Sequence, residues 1–379
     1  EKLSWEDVKI SGRFQDRRLI LKGIENSIRI LENRQEKEAF FLYGSPIPRK
    51  ALLLSLERLK DLFRVQNSPH VIMTVLQEEF TPYEIINGNR PEKQPVLATG
   101  YFQPVFRGSL NATREYAFPV YAWPPGLIKV RLRLFDRSLP SKAIYGRTAG
   151  RQLVPYYSRK EIEEQGLLGP DLALCWLASP VDVLELQIQG SGIINLPGGR
   201  SKFIHYAASN GRPYVSVGKV LKQQGLISPE NLNWPGIRQW AEDHPEEFRK
   251  ALYENPRYIF FKWEDKGPVG CFGQVLVPGT SVALDRSVYP PGMPGILILK
   301  WPETAKGPDW FTPRPEALVV FNHDTGNAIR GPGRLDLFCG NGTNAGRLAG
   351  ILKNPSRLII LLHRDAEIPT ASKSQTTES

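Results

Sequence analysis

Apolar residues recur at helical spacing across 17–31, at Leu19, Ile20, Ile24, Ile28 and Leu31. They do so again across 50–65, at Leu52, Leu56, Leu59 and Phe63. Side chains three and four positions apart share one face of a helix, so both stretches predict amphipathic helices lying on a core. From residue 96 onward the period changes. VLATGYFQPVFRGSL (96–110), EYAFPVYAWP and KVRLRLFD carry β-branched and aromatic residues in short runs, which predicts strands, the first broken at Gly100 and Pro104. VDVLELQIQGSGIINL (181–196) runs apolar into a Gly-Ser-Gly bend. Strand patterns return in RYIFFKW, GQVLVPGTSVALD, GILILKW, ALVVFN, RLDLF and RLIILLH. Helices punctuate this pattern. Ser158 followed by Glu161 makes a capping box that opens SRKEIEEQG, VGKVLKQQG is a short helix stopped at Gly225, and 234–254 reads as two helices separated at Pro245. The polar tail after Asp365 is expected to be disordered. The pattern as a whole is mainly β, with helices at the start, in the middle and near the end, and it shows no internal repeat.

Thirty-three glycines and 32 prolines in 379 residues strengthen that reading, since turns joining many short strands consume both. The length accommodates two or three domains. No run of 18 apolar residues occurs, which excludes a membrane-spanning helix. A net charge of +10 favours polyanions in general, but no block of five like charges exists, so no nucleic-acid tail is expected. Cys175, Cys271 and Cys339 are few and far apart, and the five histidines form no HExxH; no metal site is expected. The chain starts EKLSWEDVKI, with neither an apolar signal segment nor a lipidatable cysteine, and a secretory segment is expected to have been removed.

Four stretches carry candidate chemistry. In GNGTNAGRLAGILK (340–353), Gly340, Gly342 and Gly346 form GxGxxxG, one residue longer than a dinucleotide fingerprint. A dinucleotide domain needs several further βα units, and neither the preceding strands nor the short remainder after Asp365 supplies them. The glycines are read as a helix start built for close packing, and no nucleotide or other cofactor is expected. In FNHDTGNAIRGPGRLDLFCGNG (321–342), Asp324 and Asp336 flank a bend containing Gly326, Gly331 and Gly333 together with Arg330 and Arg334. An Asp beside Gly is most often a turn former. Asp336, however, lies between Leu335 and Leu337 in an apolar strand and so shares a face with neither. A carboxyl there should point into a cleft, where partial desolvation raises its pKa as a general acid requires. Asp324 begins the bend and can accept hydrogen bonds from following backbone N–H groups. Asp336 is therefore assigned the catalytic proton transfer and Asp324 the role of a supporting acid. In QGSG, Gln189 and Ser191 offer donors and acceptors between Gly190 and Gly192, which suits a sugar, although a plain turn has the same composition. In GYFQP, Tyr101 is the better cleft residue and Phe102 the better core residue.

At these residues the chain resembles a family. DTGNAIRGPGRLDLFCGNGTNAGRLAG resembles the 3D double-psi β-barrel signature, and GYFQPV, LELQIQGSG, YAASNGRPYVSVGKVL, NPRYIFF and ALDRSVYPPG resemble, in order, the other blocks of the membrane-bound lytic transglycosylase A (MltA) family. The likeness runs over 97–363, and the first hundred residues match poorly. It implies a mainly β fold with peripheral helices, in which a double-psi β-barrel built from 1–103 and 263–365 holds an inserted smaller β-barrel of 104–262, with a groove between them and a disordered 366–379. It implies a lytic transglycosylase that cleaves the β-1,4 bond between N-acetylmuramic acid and N-acetylglucosamine in peptidoglycan. Asp336 would then be the single acid and base, Asp324 the neighbouring acid, and Tyr101 with Gln189, Gly190, Ser191 and Gly192 the substrate contacts. It implies a monomer in the bacterial cell envelope, periplasmic and associated with the outer membrane, whose partners are glycan strands rather than nucleic acid or nucleotides. This chain departs from the family in having GPGRL where an aromatic-rich segment commonly precedes the catalytic Asp. Arg330 and Arg334 are expected to point away from Asp336, because a nearby cation would lower its pKa. Two alternatives stay open: a hydrolase using Asp324 as base and Asp336 as acid, and a non-catalytic, expansin-like wall-binding module.

Overall fold

The computed structural model describes residues 2–366 apart from 9–13, 36, 37, 39, 43, 67, 85–94, 302, 304, 313, 316, 327 and 328. The tail after residue 366, expected to be disordered, lies outside the described residues. The chain divides into two compact units, Glu1–Gln103 with Gly267–Ser379 and Pro104–Lys266. The first unit opens with α1 (Arg17–Glu32), β1 (Phe40–Leu42), β2 (Ser45–Ile47), α2 (Arg49–Val65), α3 (Pro69–Glu79), β3 (Phe80–Glu84) and β4 (Val96–Gln103). The second contains β5 (Val105–Ser109), β6 (Phe118–Tyr121), β7 (Ile128–Arg131), β8 (Ala143–Ala149), β9 (Gln152–Pro155), α4 (Arg159–Glu164), β10 (Ala173–Leu177), α5 (Pro180–Gln189), β11 (Ser191–Asn195), β12 (Ser201–Ser209), α6 (Val217–Gln223), α7 (Trp234–Asp243), α8 (Pro245–Tyr253) and β13 (Ile259–Glu264). The first unit then resumes with β14 (Ser281–Ala283), β15 (Pro294–Leu299), β16 (Ala317–Asp324), β17 (Arg334–Asn341), α9 (Gly342–Ile351) and β18 (Lys353–His363).

In the first unit the sheet runs β15-β16-β14-β17-β4-β18, and β18 pairs back onto β15. Six strands thus close into a barrel, with β3 attached outside on β18. Two pairs are parallel, β14 with β16 and β17 with β4, and the others are antiparallel, as expected of the double-psi class. Closure leaves the barrel no open edge, so its strands satisfy one another's backbone groups. Its core takes Ala98, Val282, Ile296, Leu335, Leu337 and Ile359, all less than 1% exposed, and extends to Leu52, Leu56 and Leu59 of α2. Helix α1 lies on β16 through Gly23, where any Cβ would come within 2.8 Å of the Phe321 ring. This close approach fixes the end of β16, and with it Asp324.

In the second unit the sheet order is β13-β12-β11-β5-β10-β6, and a bridge between Ala122 and Phe261 joins its two edges into a small barrel. Strands β7, β8 and β9 form a separate sheet. The stretch PVDVLELQIQ forms helix α5 instead of an apolar strand-like run into the bend. Ser179 caps it by accepting from the Asp182 N–H, Pro180 occupies its first turn, and Gly190 ends it at φ +77°. Val183 and Leu186 enter the barrel core while Val181 and Leu184 pack with α6, α7 and α8. A helix buried on two sides reads as a continuous apolar run, which periodicity alone does not separate from a buried strand.

Candidate active site

Asp324, Asp336 and Tyr101 converge on the first unit, and the barrel strands explain why. Parallel pairing sets Asp336 of β17 opposite Thr99 of β4, and Phe338 opposite Tyr101. Leu335 and Leu337 fill the barrel interior, so the alternation of a strand turns Asp336 to the outer face, beside Thr99 and Tyr101. The other face of β4 is closed by α9. A Cβ at Gly100 would sit 2.7 Å from the Ala349 Cα and 3.0 Å from the Cys339 Sγ, so only glycine lets the helix pack there.

The two carboxyl groups have different surroundings. Asp324 is engaged on both oxygens: Oδ1 accepts from the Cys271 and Thr325 backbone N–H groups, each at 2.9 Å, and Oδ2 accepts from the Tyr101 hydroxyl at 3.2 Å. Burial pushes its pKa up, and these donors work against the rise. Asp336 accepts from the Thr99 hydroxyl on Oδ1. Burial pushes its pKa up as well, the Arg334 charge opposes this, and the Asp324 charge adds to it. The Tyr101 hydroxyl is held far above its usual range by burial and by both carboxylates, so it stays a hydrogen-bond donor. His323, next to Asp324, is fully buried between Ser27 and Ser281, with ring nitrogens 2.9 and 2.7 Å from their hydroxyls. Burial lowers its pKa to about 3, which makes it a neutral structural residue.

The bend joining the two acids is tied down at several points. Asp285, 5% exposed, accepts from the Gly331 N–H at 2.7 Å and from the Ser287 N–H and hydroxyl. The Tyr289 hydroxyl donates to the Pro332 carbonyl at 2.8 Å, and the Leu97 N–H to the Gly333 carbonyl at 2.9 Å. Thr99, Asp285 and the Cys271 amide are participants that sequence reasoning missed as individuals. Asp285 and Tyr289 lie inside the ALDRSVYPPG block, and Thr99 directly precedes GYFQP, so position in a motif was the available signal. The arginines separate. Arg330 acts on Asp285, whereas Arg334 acts on Asp336. Residues 334 and 336 leave the same face of β17, so the Arg334 charge reaches Asp336, although among the described residues no ion pair or hydrogen bond joins the two side chains.

Gln189, Gly190, Ser191 and Gly192 lie in the second unit, at the end of α5 and the start of β11. Gly190 has open space where a side chain would stand. A Cβ at Gly192 would meet Leu186 at 2.9 Å and the Phe106 ring at 3.3 Å, so that glycine serves packing within its own barrel. Phe102 is half-buried against Cys339, Ala345 and Leu348, as a core residue would be. The glycine-rich GxGxxxG does open a helix, α9, but β18 runs antiparallel to β4 and hence to β17. The parallel βαβ crossover of a dinucleotide site is therefore not formed. Among the described residues no group of three or more His, Cys, Asp or Glu is arranged to hold a metal ion, and no helix is long and apolar enough to cross a membrane.

Two family descriptions match the chain, the MltA specific insert domain over residues 97–262 and the 3D domain over residues 280–362. The first begins inside β4, seven residues before the second unit does. The membrane-bound lytic murein transglycosylase A of Escherichia coli K12 is 32% identical over 270 residues, covering 70% of this chain and 65% of that protein. The match thus spans a little under two thirds of the relative's length. The fold is similar to that of a membrane-bound lytic murein transglycosylase from Agrobacterium tumefaciens, with TM-score 0.73, 28% identity, and 92% of this chain and 94% of that one covered. It is also similar to E. coli MltA with bound chitohexaose, with TM-score 0.65, 26% identity and coverage of 90% and 89%.

Proposed function

The chain belongs to the MltA family, and from that premise we propose that it is a peptidoglycan lytic transglycosylase. It cleaves the β-1,4 bond between N-acetylmuramic acid and N-acetylglucosamine and leaves a 1,6-anhydromuramic end. The observation that carries this reading is the asymmetry of the two acids. Both are desolvated, but three donors hold Asp324, while Asp336 takes a single hydroxyl donor.

A carboxyl that is desolvated and lightly engaged stays protonated to a higher pH and is available to give that proton away. Asp336 protonates the glycosidic oxygen as the C1–O bond breaks, and the N-acetylglucosamine leaves with a free hydroxyl. The muramic C6 hydroxyl closes on C1, and the Asp336 carboxylate removes its proton, restoring the acid. No water enters, so no second carboxylate is needed to activate one. The tethered C6 hydroxyl replaces an external nucleophile, and well-oriented intramolecular attack is worth about 7–11 kcal/mol. Asp324 is held in place by three donors. Its negative charge helps keep the neighbouring acid protonated, while Tyr101 and the Cys271 amide fix its position. Tyr101, Gln189, Gly190 and Ser191 are the glycan contacts in this reading, and the bacterial cell envelope is the place of action.

The test is mass spectrometry of peptidoglycan digested by the purified protein. Anhydro ends are expected. Products heavier by one water would establish the two-carboxylate hydrolase instead, and glycan binding without soluble fragments would leave a wall-binding module.

A further inference from the structure

Of the two arginines in the bend, Arg330 is exposed and acts on Asp285. Arg334 has no such place. It is the first residue of β17, half-buried, two positions before Asp336 and on the same face. Its Nε is buried and has no hydrogen-bond partner among the described residues. It makes no ion pair there either, although its charge reaches Asp336. Burying part of a guanidinium without an anion is costly, and its planar fork takes a carboxylate or phosphate in two parallel hydrogen bonds.

Resting on the transglycosylase reading, we propose that Arg334 binds a carboxylate on the lactyl branch of the muramic residue at the scissile bond, so that the site selects acidic glycan over neutral glycan. A consequence follows for the acid. In the free protein the Arg334 charge pulls Asp336 toward its ionised form. A substrate carboxylate pairing with that charge removes the pull, so substrate binding itself favours protonated Asp336. The other groups facing Asp336 are Thr99 and Tyr101 from β4 and Asp324 from β16, while β14 presents the uncharged Ala283; Cys339 of the same strand lies on the opposite face, against α9. None of these groups is a cation, so none takes over from Arg334.

The experiment uses the full chain and two probes: peptide-free glycan strands with free lactyl carboxylates, and the same strands with those groups converted to methylamides. Binding is measured by calorimetry in an Asp336→Asn background, and turnover in the wild-type background. The Asp336→Asn protein is expected to bind the charged strands about tenfold or more tighter. Adding Arg334→Gln should bring that ratio to one, and Arg334→Lys should restore part of it. In turnover, the alkaline limb of kcat should lie at higher pH on charged strands than on methylamides, and this difference should vanish with Arg334→Gln. A binding ratio that survives Arg334→Gln, in a protein that still melts cooperatively, overturns the proposal. If the ratio collapses as expected but no anhydro ends form, the transglycosylase reading fails and the role of Arg334 stands.

Discussion

Replacing Asp336 by Asn should abolish anhydro product and, at neutral pH, make the first unit more stable. The two effects have one cause. Burial raises the Asp336 pKa, with the Asp324 charge adding to the rise and Arg334 only partly opposing it. A group whose folded pKa stands above its unfolded value binds protons more tightly in the native state. Stability is then full below the unfolded pKa and falls as pH rises through the folded one. Asparagine has nearly the same shape and carries no charge, so it removes that penalty. Each pH unit of elevation corresponds to about 1.4 kcal/mol. In a unit of roughly 200 residues, about 2–4 °C of Tm accompanies each kcal/mol, so each unit of elevation should appear as a rise of about 3–6 °C. The measurement is thermal unfolding of wild type and variant from acid to mildly alkaline pH, alongside chromatography of digested peptidoglycan. The two melting curves should agree at acid pH, where Asp336 is protonated, and separate as pH rises. Near wild-type turnover in the variant would end the catalytic assignment. A Tm difference that is flat with pH, or of opposite sign at neutral pH, would refute the account of burial.

Three further outcomes follow from the same geometry. Asp324→Asn keeps an oxygen for the Cys271 and Thr325 amides but removes a like charge from beside Asp336, so activity should fall partly and the alkaline limb of kcat should move to lower pH; a fully active variant with an unshifted profile would exclude the supporting role. Gly100→Val forces a side chain into the Ala349 backbone and should cost about 1–3 kcal/mol, read as a lowered Tm; an unchanged Tm would mean that α9 is not seated there. Asp285→Ala leaves the Gly331 amide without its acceptor, at about 1–3 kcal/mol, and should lower kcat more than it raises KM. Burial alone would raise the Asp285 pKa, but the bonds from Ser287 and Gly331 outweigh it and hold the group below the usual carboxylate range. Its contribution is therefore present at neutral pH and lost on acidification; a Tm deficit in the variant that persists unchanged in acid would contradict this.

Much of this molecule was legible in the chain because its signals are local. The helices α1 and α2 follow from apolar spacing, α4 from the Ser158–Glu161 capping box, and the barrel strands from short β-branched runs. The outward turn of Asp336 follows from its place between two core leucines, since the period of a strand depends on nothing but the strand. What the chain did not disclose depends on partners far away in sequence. Helix α5 hid as an apolar run because two separate cores bury it from both sides. Thr99 reaches Asp336 only because β4 and β17, more than 200 residues apart, pair in parallel. Asp285 holds the bend only because β14 lies between the strands that carry the two acids. The opposite fates of Arg330 and Arg334, and the unequal engagement of Asp324 and Asp336, are likewise set by which backbone amides and hydroxyls the closed barrel brings within about 3 Å. Residue types and spacing determined which groups can do chemistry here. Strand pairing across the barrel decided which of them meet, because hydrogen bonding and desolvation act over a few ångströms of space, whatever the separation along the chain.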